Sequence, residues 1–204
     1  MVRKTKEEAE LTRQMVMAAA LKVFSRQGYA ATRLEDIAEE AGVTRGAIYW
    51  HFKNKADLYT ALQYHAAARL DGVVDEAISS AGSAFDALRR VMVRIWVYLV
   101  EDEEFRAVHE MTLLKTELLP ELMAGMEEKL QNMQKTNEQI AEAMREAMVE
   151  GDIDPTLDPG TVALAYTAYL NGMTMVYILA RGEFPLKEQA DALADVFMRG
   201  LRPH

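Results

Sequence analysis

The sequence predicts an all-α protein, with a small N-terminal head and a larger helical domain behind it. Three observations carry that expectation. Apolar residues recur at three- and four-residue intervals along nearly the whole chain, and no window alternates apolar and polar residues in the manner of a strand. Cap and stop residues punctuate the pattern at helix-length intervals. Half of the 204 residues are apolar, enough to bury a sizeable core.

The elements follow in order. Val16, Ala20 and Phe24 mark a first helix that Gly28 stops. Thr32-Arg33-Leu34-Glu35 reads as a capping box that opens a second helix, ended by Gly42. Thr44 caps a short third helix reaching about Phe52, and Asn54 caps a fourth that runs to about Ser80, where small and polar residues break it. Five more helices are predicted over Ala84–Val100, Glu103–Lys115, Pro120–Glu150, Pro159–Arg181 and Leu186–Gly200. Asp158-Pro159 supplies a cap followed by Pro at the first helical position. The expected division is a helix-turn-helix domain over residues 1–55 and a ligand-binding and dimerisation domain over 56–204.

Residues 34–52 are the informative stretch. Two short helices crossing closely need a small residue at the crossing, and Ala38 is there. The tight turn four residues later needs positive φ, and Gly42 is there. Val43 and Ile48 then pack back onto Ile37 and Ala41. The second of these helices crowds Thr44, Arg45, Gly46, Ala47, Tyr49, Trp50 and His51 into about two turns. Tyr49 and Trp50 are adjacent and cannot share one face, so at least one points outward. An exposed aromatic beside Arg45, His51, Lys53 and Lys55 suits a duplex surface. Arg45 is the candidate for a bidentate pair with guanine. Lys55, at the start of the fourth helix, and Thr32 with Arg33, at the start of the second, are candidates to hold phosphates.

Charge distribution agrees. The net charge is −9, yet residues 1–65 hold ten Lys/Arg against eight Asp/Glu, while the remainder holds thirteen against twenty-four. Only the N-terminal third is suited to approach a polyanion.

At these residues the chain resembles the TetR family of bacterial regulators. The matching pattern runs from about Thr12 to Leu62 and includes Gly28-Tyr29, Asp36-Ile37-Ala38, Ala41-Gly42-Val43, Tyr49-Trp50-His51-Phe52, Lys55 and Leu58. The run from Gly42 to Lys55 is similar to the AcrR/TtgR branch, which controls multidrug efflux pumps, as is the opening Met1–Ala9. The resemblance covers about a quarter of the chain. It implies a nine-helix homodimer that represses transcription from a double-stranded DNA operator and is released by a small hydrophobic or amphipathic effector. It also implies that Thr44, Arg45, Gly46, Tyr49, His51 and Lys55 occupy DNA-contacting positions.

The C-terminal part is read within that architecture. The helix from Pro159 is apolar on more than one face, so it is expected to serve both a pocket and a subunit interface. Val162, Tyr169 and Val176, with Leu186, Ala190, Leu193, Phe197 and Leu201 of the last helix, are the expected dimer contacts. The expected ligand-binding residues are Trp96, Leu99, Phe105, His109, Met111, Thr112, Met144, Tyr166, Asn171, Met173 and Met175. Mixed aromatic, Met and isolated polar groups suit a site for varied apolar ligands.

Several classes are expected to be absent. With no cysteine, neither disulfides nor Cys-based zinc sites can form. The histidines include no pair at i, i+3 or i, i+4, so no metal site is expected. No Gly-rich phosphate loop or nucleophilic triad motif appears, so no cofactor and no enzymatic activity are expected. The charged opening lacks the apolar core of a signal peptide, and the most apolar stretch, Met173–Ala180, is short for a membrane span. A cytoplasmic protein with no membrane partner is the expectation. Two other readings stay open: the same head without a small-molecule inducer, in an architectural or cell-cycle role, and an acidic helical enzyme or interaction module in which the hairpin is incidental.

Overall fold

A computed structural model describes residues 6–117 and 119–203, and the readings that rest on Met1–Thr5 lie outside these described residues. Among the described residues the chain forms nine α-helices and one 3₁₀ turn: α1 (Lys6–Ala31), α2 (Leu34–Ala41), α3 (Arg45–His51), α4 (Lys55–Ser79), α5 (Ala84–Glu101), α6 (Glu103–Leu114), the turn Pro120–Leu122, α7 (Met123–Glu150), α8 (Pro159–Leu179) and α9 (Leu186–Arg199). Packing groups residues 1–67 with 107–125 in one compact unit and residues 68–106 with 126–204 in a second.

The first unit is built around α1, whose Val16, Ala20, Val23 and Phe24 are fully buried. Gly28 breaks the helical path at φ 82°, and the chain then turns once more to Ala31. A side chain there would strain the backbone and bring a Cβ to 3.2 Å from the Lys115 carbonyl. The next N–H, that of Tyr29, donates to this carbonyl at 3.0 Å. The α2 cap lies one residue beyond the expected one. Arg33 is extended at the N-cap, and Asp36 Oδ2 accepts from its N–H at 3.0 Å. The Thr32 hydroxyl instead donates backward to the Gly28 carbonyl at 2.7 Å, because the kink at Gly28 leaves that carbonyl without a helical partner.

The turn between α2 and α3 follows the sequence. Gly42 is left-handed at φ 66°, and Val43 N–H returns to the Ala38 carbonyl at 3.0 Å. Thr44 Oγ1 accepts from Ala47 N–H at 3.2 Å. Ile37 and Ile48 are fully buried, and Ala38 and Ala41 nearly so. Asn54 Oδ1 accepts from Asp57 N–H at 2.8 Å, and Asp57 Oδ2 accepts from Lys53 N–H at 2.8 Å, a reciprocal cap on α4.

In the second unit, Ser83 caps α5, Asp102 caps α6 and Asp158 caps α8. Helix α9 lies along α5, tied by Arg89 to Asp195 at 2.7 Å and to Asp191 at 2.8 Å. Trp96 is fully buried and its Nε1–H donates to the Leu170 carbonyl. The Tyr166 hydroxyl donates to the Leu88 carbonyl at 2.7 Å. Helix α8 is long and apolar enough, by length and composition, to cross a bilayer, which the sequence reading did not anticipate. No charged residue falls between Pro159 and Ala180, and its Tyr, Thr, Gly and Asn residues interrupt the apolar run without adding charge. Its inner face, with Val162, Ala163, Tyr166, Thr174 and Tyr177, is buried, whereas Leu164, Met175 and Leu179 lie open on the other side.

Candidate nucleic-acid interface

Helix α3 has seven residues, and its outer face is assembled by its two neighbours in the fold. The buried Ile48 and Phe52 anchor one side on the core, so 45, 46, 49 and 50 turn outward. Thr44, Arg45, Gly46, Tyr49 and Trp50 are all exposed; Trp50 is the most so, at 82%. Ala47 and His51 are half-buried along the edge of this face. No other described Trp, Tyr or Phe is as open as Trp50. An aromatic this exposed loses its hydrophobic contribution unless something covers it.

Arg45 does not wave freely. Its Nη2 donates to the Tyr49 hydroxyl at 2.9 Å, its guanidinium carbon stands 5.3 Å from the Tyr49 ring centre, and Nη1 is paired with Glu35 of α2. The hydrogen bond to Tyr49, then Glu35, raises the guanidinium pKa still further above its ordinary value. Asp36 is held below the usual carboxylate range, first by the Arg33 backbone N–H and next by Gln27.

Two expected phosphate contacts are placed elsewhere. Thr32 is 2% exposed, and its hydroxyl is spent on Gly28, so it offers no group at the surface. Lys55 folds back onto α1. Its Nζ donates to the carbonyls of Tyr29 at 2.9 Å and Thr32 at 3.0 Å and lies 4.3 Å from the Tyr29 ring centre. The Tyr29 carbonyl already accepts from Thr32 N–H at 3.2 Å, and the ammonium joins it as a second donor, so it caps a helix end. Arg33 remains exposed beside the start of α2. Sequence reasoning missed Glu35 and Glu121. Glu121 accepts the Tyr29 hydroxyl at 2.7 Å, and burial followed by this contact pushes the Tyr29 phenol well above its ordinary pKa.

The expected ligand residues separate. Trp96, Leu99 and Met144 are fully buried in the second unit, Phe105 and Tyr166 nearly so, and Met173 is half-buried there. His109, Met111 and Thr112 belong to the first unit, where Thr112 Oγ1 accepts from Gln63 at 3.2 Å and donates to the Val108 carbonyl. Asn171 and Met175 are exposed on the outer face of α8, with Leu164, Ala168 and Leu179, and so are removed from the interior set. Their spacing from Tyr166 puts them on the opposite side of the helix. A solvent-open hollow of about 460 Å³ lies at Arg26, Gln27, Asp36, Glu39 and Glu40. Its charged lining does not suit an apolar ligand, and no expected ligand residue borders it.

The expected dimer residues are also redistributed. Val162 is buried on the inner face of α8, and Leu186 and Ala190 are buried within the protomer because the apolar stripe of α9 is used on α5. Tyr169 donates to the Leu193 carbonyl at 2.9 Å and stacks on Phe197 at 5.4 Å, again within one chain. Leu193, Phe197 and Leu201 are half-buried. Val176 is 49% exposed and remains at the surface.

Residues 16–62 match the family model for bacterial regulatory proteins of the tetR family, and residues 83–203 match the C-terminal region of MAATS-type transcriptional repressors. The chain belongs to the TetR family. Its TetR relatives include the HTH-type transcriptional regulator TtgR of Pseudomonas putida, 34% identical over 202 residues that cover 96% of this chain and 91% of that protein. Among solved structures it is similar to NalD, the secondary repressor of the MexAB-OprM multidrug efflux pump in Pseudomonas aeruginosa. The TM-score is 0.85 and the identity 27%, over 97% of this chain and 98% of that one. It is also similar to SmeT of Stenotrophomonas maltophilia in complex with triclosan, with a TM-score of 0.79 and 26% identity, over 95% of this chain and 92% of that one. The TetR head and the MAATS-type C-terminal region together take in both compact units, so the all-α class and the helix-turn-helix of the sequence reading stand.

Proposed function

We propose that the protein is a homodimeric, ligand-responsive repressor of an efflux or related resistance operon. One observation carries the DNA-binding half: the exposed row Thr44, Arg45, Gly46, Tyr49 and Trp50 on a helix whose opposite side is locked into the core. A rigid short helix that presents a cation, hydroxyls and an uncovered indole is built to enter a major groove. Arg45 reads a guanine, Tyr49 and Trp50 lie along sugar and thymine methyl, and Thr44, Arg33 and His51 contact phosphates. Two copies read half-sites about 34 Å apart, which requires a dimer.

The outer face of α8 supports that dimer. Leu164, Ala168, Met175 and Leu179 form one stripe at spacings of four, seven and four residues, with the exposed Asn171 inside it, Val176 on its flank and Val196 of α9 71% exposed. An apolar stripe of this length is covered by its own copy across a two-fold axis. The effector binds in the second unit among Trp96, Leu99, Phe105, Met144, Tyr166 and Met173. All but the half-buried Met173 are buried, so the ligand enters by displacing them, and the Met thioethers keep that repacking inexpensive. Release of DNA equals the ligand's differential affinity for two states of the dimer.

The test is a mobility-shift titration of the full chain on duplex from the region upstream of its own gene, with and without triclosan, the ligand named for SmeT. Retarded complexes that dissociate on addition of the compound support the proposal. Failure to bind that duplex, or binding unchanged across a panel of hydrophobic compounds, refutes the corresponding half.

A further inference from the structure

Glu35 opens the first turn of α2 with its side chain about half exposed, and its carboxylate is directed at the Arg45 guanidinium rather than at solvent alone. An acid at this place is unexpected on a surface meant for DNA. It repels phosphate and neutralises the one cation on the outward row of α3. The geometry offers a reason. Arg45 is held from two directions, by Glu35 at Nη1 and by the Tyr49 hydroxyl at Nη2, with the Tyr49 ring beneath it. A guanidinium has more N–H donors than these two contacts use, so donors are left over to face a base edge in a fixed orientation.

We propose that Glu35 is a specificity-determining positioning residue. It holds Arg45 in a guanine-reading pose and prevents it from serving as a free cation for phosphate. This inference rests on the reading of Arg45 as the base-contacting residue. Two physical effects combine. Fixing the fork before binding removes the ordering cost at a correct guanine, where a bidentate pair forms without displacing either hold. On incorrect sequence, a flexible Arg45 would swing to a phosphate and contribute sequence-independent affinity, and the Glu35 pair works against that motion. The acid thus lowers affinity for wrong DNA more than for the correct site.

The experiment uses the full chain as wild type, Glu35→Gln and Arg45→Ala. Each is passed through in vitro selection from a random duplex library. Each is then titrated at several salt concentrations against the duplex selected by wild type and against a shuffled duplex of the same composition. Glu35 is exposed and Gln is nearly isosteric, so unchanged circular dichroism and melting are expected for that variant. The expected result for Glu35→Gln is tighter binding to shuffled DNA and a specificity ratio lowered about tenfold. The guanine preference should relax at one position per half-site, and the salt slope on shuffled DNA should steepen by about one per recognition helix. A loss of folding alone would move none of these selectively. If Arg45→Ala loses the guanine preference while Glu35→Gln keeps the ratio, the preference and the slope, the positioning role is overturned and the readout by Arg45 stands. If Arg45→Ala keeps the guanine preference, the readout fails and the Glu35 inference falls with it.

Discussion

Lys55 Nζ stands 2.9 Å from the carbonyl of Tyr29 and 4.3 Å from the centre of the same residue's ring, so one ammonium satisfies the end of α1 and stacks on its last aromatic. Lys55→Met keeps the aliphatic stem and removes the donor, leaving part-buried carbonyls of Tyr29 and Thr32 without it. The expected loss is about 1–2 kcal/mol, read by urea unfolding. The salt slope of DNA binding should not change, whereas a lysine that held a phosphate would lower it by about one per head when removed.

The Thr44 hydroxyl is the N-cap of α3, accepting from Ala47 N–H at 3.2 Å. In a helix of seven residues a lost cap is a large fraction of what orders it. Thr44→Ala should cost about 1 kcal/mol of stability and weaken operator binding. Thr44→Ser should restore both. Melting temperature and fluorescence anisotropy on the same duplex read the two effects.

On α8, Met175 lies in the middle of the exposed stripe while Val162 is 6% exposed inside the protomer. Met175→Asp places an unpaired charge at the proposed two-fold and should convert the dimer to a monomer in sedimentation equilibrium. Val162→Ala should instead lower protomer stability by about 1 kcal/mol or more and leave the sedimenting species dimeric at native temperature. Equal sedimentation of wild type and Met175→Asp would move the interface off this face.

Asp158 is held below the usual carboxylate range by hydrogen bonds from the Thr161 side chain and, next, the Thr161 backbone N–H. A folded-state pKa below the unfolded one contributes stability that is present above the unfolded value and is lost as pH falls through the folded one. Asp158→Asn keeps a capping oxygen and abolishes the titration. Its deficit relative to wild type, measured by urea unfolding, should be largest at neutral pH and should shrink as pH drops below about 4. A deficit that does not depend on pH would remove the charge from the account.

Much of the head was legible because its signals are local. Gly42 demands a left-handed turn, Thr44 and Asn54 cap the helices that follow them, and Ala38 leaves room for a close crossing, all within twenty residues of chain. The capping of α2 was misread by one residue for an equally local reason. Thr32 and Arg33 both precede an acid at the right distance, and only the Gly28 kink, with its open carbonyl, decides which hydroxyl or amide goes where. Glu35 was read as the acid of that capping box; Asp36 takes this place instead, and nothing in the sequence links Glu35 to Arg45 ten residues on.

Read alone, the amino-acid sequence settled the helical content, the order of the elements and the helix-turn-helix, because periodicity, caps and turn glycines act over one or two turns of backbone. The tertiary structure decided which partner each face and each charge receives. The stripe of Leu186 and Ala190 looks the same whether it meets α5 of its own chain or a second subunit, and Lys55 looks the same whether it meets phosphate or the carbonyl of Tyr29. Apolar burial is non-directional and an ammonium accepts any oxygen, so the choice belongs to groups brought near from far along the chain.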